Sequence, residues 1–245
     1  MSVKMTVSVA ALAAAVLATN ANAAETIRLS VGASHPETFL PVGVMVDTWM
    51  PRVNELLAEH GGEYEIDWSV SVGGSLYGIR ETRSAVADGF VDVGWVGTLW
   101  ESSAMPLSSV AYFTWFAASD PMITHAAFNQ LVETSPELQN EWTQQGLVFL
   151  GASGGDSYHL FTKTPVRTIS DVTGLKISTP GVAANGLRGS GAVAVDSAIT
   201  NFYTDVQTGL TDGAFSFYTG IYPPRLYEVA KYVVEIDAGS IIFGG

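Results

Sequence analysis

A unit made of a helix end, a Gly-x-x-Asp turn and a short strand occurs twice in this chain and constrains its fold most strongly. The two copies are centred on Gly89-x-x-Asp92 and on Gly209-x-x-Asp212. Glycine favours the left-handed backbone found just past a helix, and the aspartate side chain can fix the tight turn that follows. Open α/β sheets bind ligands at the carboxyl ends of their strands. The repeat therefore predicts two α/β lobes that offer strand ends to one shared cleft.

The rest of the pattern supports an α/β fold, because strand-like and helix-like segments alternate along the chain. Helical spacing predicts a helix over residues 41–57, and alternation of apolar residues predicts a strand over residues 64–72. We also expect a helix at roughly residues 183–189 and a strand at residues 147–151. No low-complexity linker separates the two halves. We therefore expect the chain to cross between the lobes on strands.

Composition excludes several classes of function. The 47% hydrophobic content over 245 residues is enough for a substantial core. The chain has no cysteine, which excludes disulfides and thiolate metal sites. A formal net charge of −13 argues against a nucleic-acid partner and against binding to an anionic membrane surface. It does not exclude an anionic small ligand, since one arginine or a helix N-terminus can hold it.

The N-terminus has the features of an export signal. Lys4 provides a basic start, residues 7–18 are apolar, and residues 21–23 form a small-residue cleavage site. We predict a signal peptide over residues 1–23, cut after Ala23, and a mature protein in the periplasm. The alternative is an uncleaved anchor, although the apolar run is too short to span a bilayer comfortably.

Two glycine motifs suggest enzymes, and both lack the context that they need. Ser153 lies in a Gly-x-Ser-x-Gly sequence, but a nucleophile elbow needs a helix next and a later histidine. The last histidine, His159, is too close to serve, so a secreted serine hydrolase stays only as an alternative. The sequence at residues 189–194 matches Gly-x-Gly-x-x-Ala, but it follows a predicted helix and precedes a strand, the reverse of a dinucleotide site. The four histidines show no metal-ligand spacing, so no cofactor is predicted.

Residues 164–181 resemble a signature of the solute-binding proteins of TRAP (tripartite ATP-independent periplasmic) transporters, of the C4-dicarboxylate-binding type. Further segments resemble the family in order and spacing, at residues 72–78, 89–92, 208–213 and 226–233. The resemblance implies a two-lobed periplasmic-binding-protein-like fold that closes on a small organic acid. It also implies delivery to the membrane permease subunits of a transporter driven by an ion gradient, and no enzymatic activity. A ligand-presenting sensor subunit is an alternative that the sequence does not separate.

The resemblance also divides the chain. We expect lobe I at residues 24–153, lobe II at residues 154–236, and the start of a return to lobe I at residues 237–245. Chains of this family continue with a long hinge-spanning helix and more of the first lobe. The strand-like end of this chain therefore predicts a truncated sequence.

The candidate binding residues depart from the family pattern. Where the family has its usual carboxylate-binding arginine, this chain has Ser178. A second common arginine of the family aligns with His159, and a polar asparagine aligns near Ser216. A hydroxyl does not replace a bidentate arginine without a large loss. We therefore expect a less acidic, or differently oriented, organic solute that is hydrogen-bonded by these three side chains.

Aromatic residues and one arginine complete the predicted pocket. The walls are predicted to be Trp95, Trp115, Tyr158 and Phe217. Arg80 is a possible substitute cation. Its alternative role is a surface ion pair with Glu81 or another neighbour.

Overall fold

The computed structural model describes residues 24–245, so the predicted signal peptide lies outside the described residues. Lobe I contains a parallel three-stranded sheet in the order β2-β1-β3. A short antiparallel pair of strands, β4 and β10, extends it, because Val96 and Gly245 exchange two backbone hydrogen bonds of 2.9 and 3.2 Å. These strands are β1 Glu25–Gly32, β2 Tyr64–Ser71, β3 Val93–Gly94, β4 Ser153–Gly154 and β10 Ile242–Gly244.

Lobe II is built on one five-stranded sheet in the order β7-β6-β8-β5-β9. The edge strand β7 and its neighbours β6 and β8 are parallel, whereas β5 runs antiparallel to both β8 and β9. The strands are β5 Tyr158–Thr162, β6 Lys176–Thr179, β7 Val193–Asp196, β8 Gly213–Phe217 and β9 Tyr232–Val234. The carboxyl ends of β6 and β8 therefore meet at one edge of the sheet.

Within residues 24–245, seven α-helices connect and cover the strands. They are α1 Leu40–Val44, α2 Met50–Glu59, α3 Thr82–Ala87, α4 Pro121–Thr134, α5 Pro136–Gln144, α6 Phe202–Thr208 and α7 Tyr218–Ile221. A π-helical turn, Met45–Trp49, joins α1 to α2. Short 3-10 helices lie at Thr98–Trp100, Val110–Phe113, Ile169–Val172, Gly181–Leu187, Ile199–Asn201 and Leu226–Glu228. Within the described range no helix is long and apolar enough to cross a membrane.

The repeated unit has the same structure in both lobes. Gly89 and Gly209 follow α3 and α6 with φ angles of 71° and 79°, as the motif predicts. The Asp92 carboxylate accepts hydrogen bonds of 2.7 Å from the backbone N–H and hydroxyl of Ser30, on the neighbouring strand β1. In lobe II the Asp212 carboxylate accepts a hydrogen bond of 2.9 Å from the backbone N–H of the first β6 residue. Each aspartate therefore joins its turn to the adjacent strand.

Two local predictions are wrong. Residues 147–151 are extended but form no strand, because within the described chain no second strand is hydrogen-bonded to them. The helix expected at residues 183–189 is the 3-10 helix Gly181–Leu187. The predicted helix at residues 41–57 and strand at residues 64–72 are confirmed, and Asn54 joins them through two 2.9 Å hydrogen bonds to the backbone of Ile66.

The largest core cluster runs through both lobes. It includes Phe39, Trp95 and Leu99 of lobe I and Tyr158 and Phe217 of lobe II, all buried. The two lobes are therefore in packed contact at the strand ends, and that contact is where the candidate site lies.

Candidate functional site

A small cavity of about 30 Å³ lies between the two lobes. It has room for about one water molecule, so the lobes are closed on it. His35 and Phe39 follow the end of β1, and Trp95 follows β3; Pro180 follows β6, and Phe217 ends β8. The full lining is His35, Phe39, Trp95, Leu99, Trp100, Tyr158, Pro180, Ile199 and Phe217.

Aromatic rings on both sides of the cavity pack against one another. In lobe I the His35 ring stacks on Phe39 with centroids 4.6 Å apart and meets Trp95 edge-on at 5.0 Å. In lobe II the Tyr158 and Phe217 rings lie 5.1 Å apart, as expected from their opposite positions on β5 and β8. Such ring pairs add stability beyond the area that they bury.

Trp95 is held in place by the strand pair at the end of lobe I. Its indole Nε1 donates a hydrogen bond of 2.6 Å to the Ser153 hydroxyl oxygen. Ser153 lies in β4 and leads on to β5 rather than to a helix. Within the described residues no hydrogen bond joins this hydroxyl to a histidine. The arrangement is that of a structural serine that positions a wall of the cavity.

His35 brings no charge to the cavity at neutral pH. Burial lowers the pKa of its imidazole from 6.5 to about 4, because the protonated ring would lose its hydration. Its Nδ1 lies 3.2 Å from the Ser34 hydroxyl. Since the other lining residues are uncharged types, the walls of the cavity are neutral at pH 7.

Arg80 lies beside the cavity and joins the two lobes. Its guanidinium carbon is 4.3 Å from the centroid of the Trp100 ring, within the range of a cation–π contact. Its Nη2 also donates a hydrogen bond of 2.7 Å to the Asp196 carboxylate at the end of β7. The second Asp196 oxygen accepts 2.9 Å from the Gly181 backbone N–H. Arg80 thus forms a half-exposed ion pair across the lobes, and its partner is Asp196 rather than Glu81.

Ser178 is fully buried and is engaged by a polar network inside lobe II. Its hydroxyl donates to an Asp205 carboxylate oxygen at 3.2 Å and lies 2.9 Å from the Thr211 hydroxyl. The same Asp205 oxygen accepts a shorter bond, 2.6 Å, from Ser197. Ser178 does not line the cavity, so its part in ligand binding stays a prediction that needs this network to rearrange.

His159 and Ser216 are directly opposite each other on β5 and β8. Strand side chains alternate between the two faces of a sheet, which places this pair on the face opposite Tyr158 and Phe217. The His159 Nδ1 accepts a hydrogen bond of 3.3 Å from the Asp237 backbone N–H. Neither residue lines the cavity in the closed arrangement, and their ligand contacts also stay predictions.

The structure thus brings three of the predicted aromatic residues together at the cavity: Trp95, Tyr158 and Phe217. Trp115 lies one layer behind, 5.2 Å from the Tyr158 ring. Sequence reasoning missed His35 and Phe39. His35 comes soon after the end of β1, and that position was the signal available for it, whereas Phe39 directly precedes α1. Sequence reasoning also missed the remaining lining residues, Leu99, Trp100, Pro180 and Ile199.

Several buried polar atoms around the cavity lack a hydrogen-bond partner in the described part of the protein. They are the indole nitrogens of Trp100 and Trp115 and the hydroxyls of Thr98 and Thr179. A buried donor left without a partner costs about 1–3 kcal/mol. Trp100 is the one of these four residues that lines the cavity, so a ligand oxygen that accepts a hydrogen bond from its indole would recover that free energy. Among the described residues no group of three or more histidine or acidic side chains could hold a metal ion.

A family model for bacterial extracellular solute-binding proteins, family 7 (DctP), matches residues 49–240. Solved structures of this kind share the fold. DctP7 of Bordetella pertussis, an extracytoplasmic solute receptor binding pyroglutamic acid, is 19% identical with a TM-score of 0.71. The match covers 89% of this chain and 69% of that one.

Two TRAP solute-binding proteins match equally well. The protein of Pseudomonas putida F1, with bound D-glucuronate, is 20% identical with a TM-score of 0.70 and coverages of 89% and 70%. A protein from an unidentified marine microbe, specific for aromatic acid ligands and crystallised with 3-hydroxybenzoate, is 20% identical with a TM-score of 0.74 and coverages of 90% and 67%. These likenesses confirm the two-lobed α/β fold.

Proposed function

Because this chain belongs to family 7 of the bacterial extracellular solute-binding proteins, we propose that it captures a small organic acid between its lobes. It then delivers the acid to the permease subunits of a TRAP transporter for uptake driven by an ion gradient. The proposed place of action is the periplasm, after removal of residues 1–23. The proposed activity is reversible binding and involves no covalent step.

The observation that carries the proposal is the position of the cavity. It lies where strand ends of both lobes converge, which is where open α/β sheets bind ligands, and the matched residues 49–240 include most of its lining. A cavity of about 30 Å³ is too small for an organic acid. Loading therefore requires the lobes to separate, and closing then buries the solute against the rings.

The ligands named for the three similar proteins support an acid. Pyroglutamate, D-glucuronate and 3-hydroxybenzoate each carry one carboxylate. Here the unpartnered indole N–H of Trp100, a lining residue, offers a hydrogen bond to a carboxylate oxygen. Uronates also carry several hydroxyls, which the ring-rich lining would leave without partners. A solute with few polar groups besides its carboxylate fits better.

A thermal-shift screen against monocarboxylates, dicarboxylates, keto acids, sugar acids and amino-acid derivatives tests the proposal. A ligand present at 100 times its Kd adds about 2.7 kcal/mol to the stability of the folded state. Phe217→Leu, in the cavity wall, should reduce the shift, and Tyr64→Leu, 44% exposed at the start of β2 and outside both the cavity and the groove beside it, should keep it. The proposal fails if no organic acid raises the unfolding temperature.

Two alternatives predict different results. A secreted hydrolase would show ester hydrolysis that is lost in Ser153→Ala. We expect no such activity, since the Ser153 hydroxyl is bonded to Trp95. A ligand-presenting sensor would bind the same acids, and the genes beside this one separate it from a transporter subunit.

A further inference from the structure

The rings around the cavity form an aromatic cage. Six of the nine lining residues carry one: His35, Phe39, Trp95, Trp100, Tyr158 and Phe217. The face of an aromatic ring is electrically negative, so it attracts a cation and repels an anion. Enclosures of several rings are the usual way in which proteins bind permanently charged nitrogen.

Charges within the cage do not oppose a positive group. Within the described chain no lysine or arginine lines the cavity. His35, the one lining residue that could become a cation, is kept neutral at pH 7 because burial lowers its pKa to about 4. A cation that entered the cage would therefore meet aromatic rings and no like charge among the lining residues.

The contact between Arg80 and Trp100 shows that a ring of the cage already holds a cation. The guanidinium lies 4.3 Å from the ring centroid. Asp196, 2.7 Å away, balances its charge. Only one nitrogen of Arg80 donates to Asp196, so other guanidinium N–H groups can donate hydrogen bonds to a ligand carboxylate at the rim. Trp100, the ring that Arg80 contacts, also carries an indole N–H without a hydrogen-bond partner.

A groove of about 590 Å³ opens on the surface next to the cage and is acidic. The two have no lining residue in common, but they adjoin in the chain: Thr38 and Tyr218 of the groove are the neighbours of Phe39 and Phe217 of the cage, and we therefore take the groove as the mouth of the cage. Glu37 and Asp47 are its two charged lining residues among those described, and both are carboxylates. This mouth attracts positive groups and repels dianions.

On the premise of the proposed function, we propose that the solute is a zwitterionic acid: one carboxylate joined to a quaternary or otherwise permanently charged nitrogen. The nitrogen lies among the rings of the cage, and the carboxylate lies at the rim beside Arg80 and the Trp100 indole N–H. Such a molecule has no net charge, so it passes the acidic mouth without the repulsion that a dicarboxylate meets.

Matched pairs of ligands isolate the positive charge. Trimethylammonioacetate has the shape of 3,3-dimethylbutanoate, and N-methylpyridinium-3-carboxylate has the shape of 3-methylbenzoate; the members of each pair differ in the charge on one atom. Titration calorimetry with the full chain gives the four affinities, and succinate is titrated alongside as the dicarboxylate for comparison. In a pair that binds, we expect the zwitterion to bind about tenfold more tightly or better, which corresponds to a cation–π gain of about 1.4 kcal/mol or more.

Two variants, with a third as a control, test the position of the charge. Glu37→Gln, in the exposed mouth, should weaken the zwitterion about two- to fivefold and leave or strengthen the isostere. Glu63→Gln makes the same charge change at the start of β2, away from the cleft, and should change neither. Trp100→Leu should reduce the preference within a pair.

The outcomes separate this inference from the proposed function. If the uncharged isosteres bind as tightly as the zwitterions, or if other organic acids bind and neither member of any pair does, the inference is overturned and the proposed function stands. If no organic acid of any kind binds, both are overturned.

Discussion

Protonation of His35 should destabilise the fold as the pH falls below 6.5. The imidazole is 4% exposed, and burial lowers its pKa from 6.5 to about 4. Between these two values the unfolded chain binds a proton that the folded protein does not. The stability that His35 contributes is therefore fully present above pH 6.5 and is lost as the pH falls toward 4.

The magnitude follows from the pKa difference. One pKa unit corresponds to 1.36 kcal/mol, so lowering the pH from 7 to 5 should reduce the free energy of unfolding by about 2 kcal/mol from this group alone. Urea unfolding at a series of pH values, followed by tryptophan fluorescence, gives the slope. Because the His35 ring stacks on Phe39 and meets Trp95 edge-on, His35→Phe keeps a ring in place and removes the titration.

Two comparisons decide whether the reasoning holds. The free energy of unfolding of the natural protein minus that of His35→Phe should increase by about 2 kcal/mol as the pH rises from 5 to 7. His60→Gln removes an exposed imidazole at the end of α2 and is the matched control. If His35→Phe shows the same pH slope as the natural protein, then burial does not keep this imidazole neutral.

Two further predictions concern packing and the repeated turn. Gly186→Ala should lower the free energy of unfolding in denaturant by about 1–3 kcal/mol, because an added Cβ would overlap the Phe215 ring. Gly151→Ala is the control, since no atom lies within 4 Å of the new Cβ. Equal stability of the two variants would contradict the close packing at Gly186. Asp212→Ala should cost about 1 kcal/mol, since it removes the acceptor for the Lys176 backbone N–H, and an unchanged denaturation midpoint would show that this bond contributes nothing.

The fold was predictable from the sequence where the signal is local. Helix ends at Gly89 and Gly209 are set by their own left-handed backbone, and the family model confirms the resemblance read from residues 164–181. The absence of a strand at residues 147–151 was not predictable. An extended apolar run becomes a strand only when a partner from elsewhere in the chain is hydrogen-bonded to it, and no local pattern reports that partner.

The candidate site was predictable in part for a related reason. Position at a strand end led to Trp95 and Phe217, and the same rule applied to the segment after β1 would have led to His35. Ser178 shows the limit of the rule, because its buried bond to Asp205 depends on how α6 packs against β6. Sequence spacing gives the strand but not which of its two faces a neighbouring helix covers.

Closure of the lobes places an unusual requirement on the residues of the cage. In the closed arrangement Phe39, Tyr158 and Phe217 belong to one core cluster, so they must pack well without a solute. When the lobes separate, the same rings must tolerate water. Arginine would satisfy the second condition and not the first, because an unpaired buried charge is costly. Arg80 meets both, since its half-exposed charge is paired with Asp196 at the rim. A cleft that closes on its own rings therefore favours a solute recognised by uncharged walls, with charge kept to the edge.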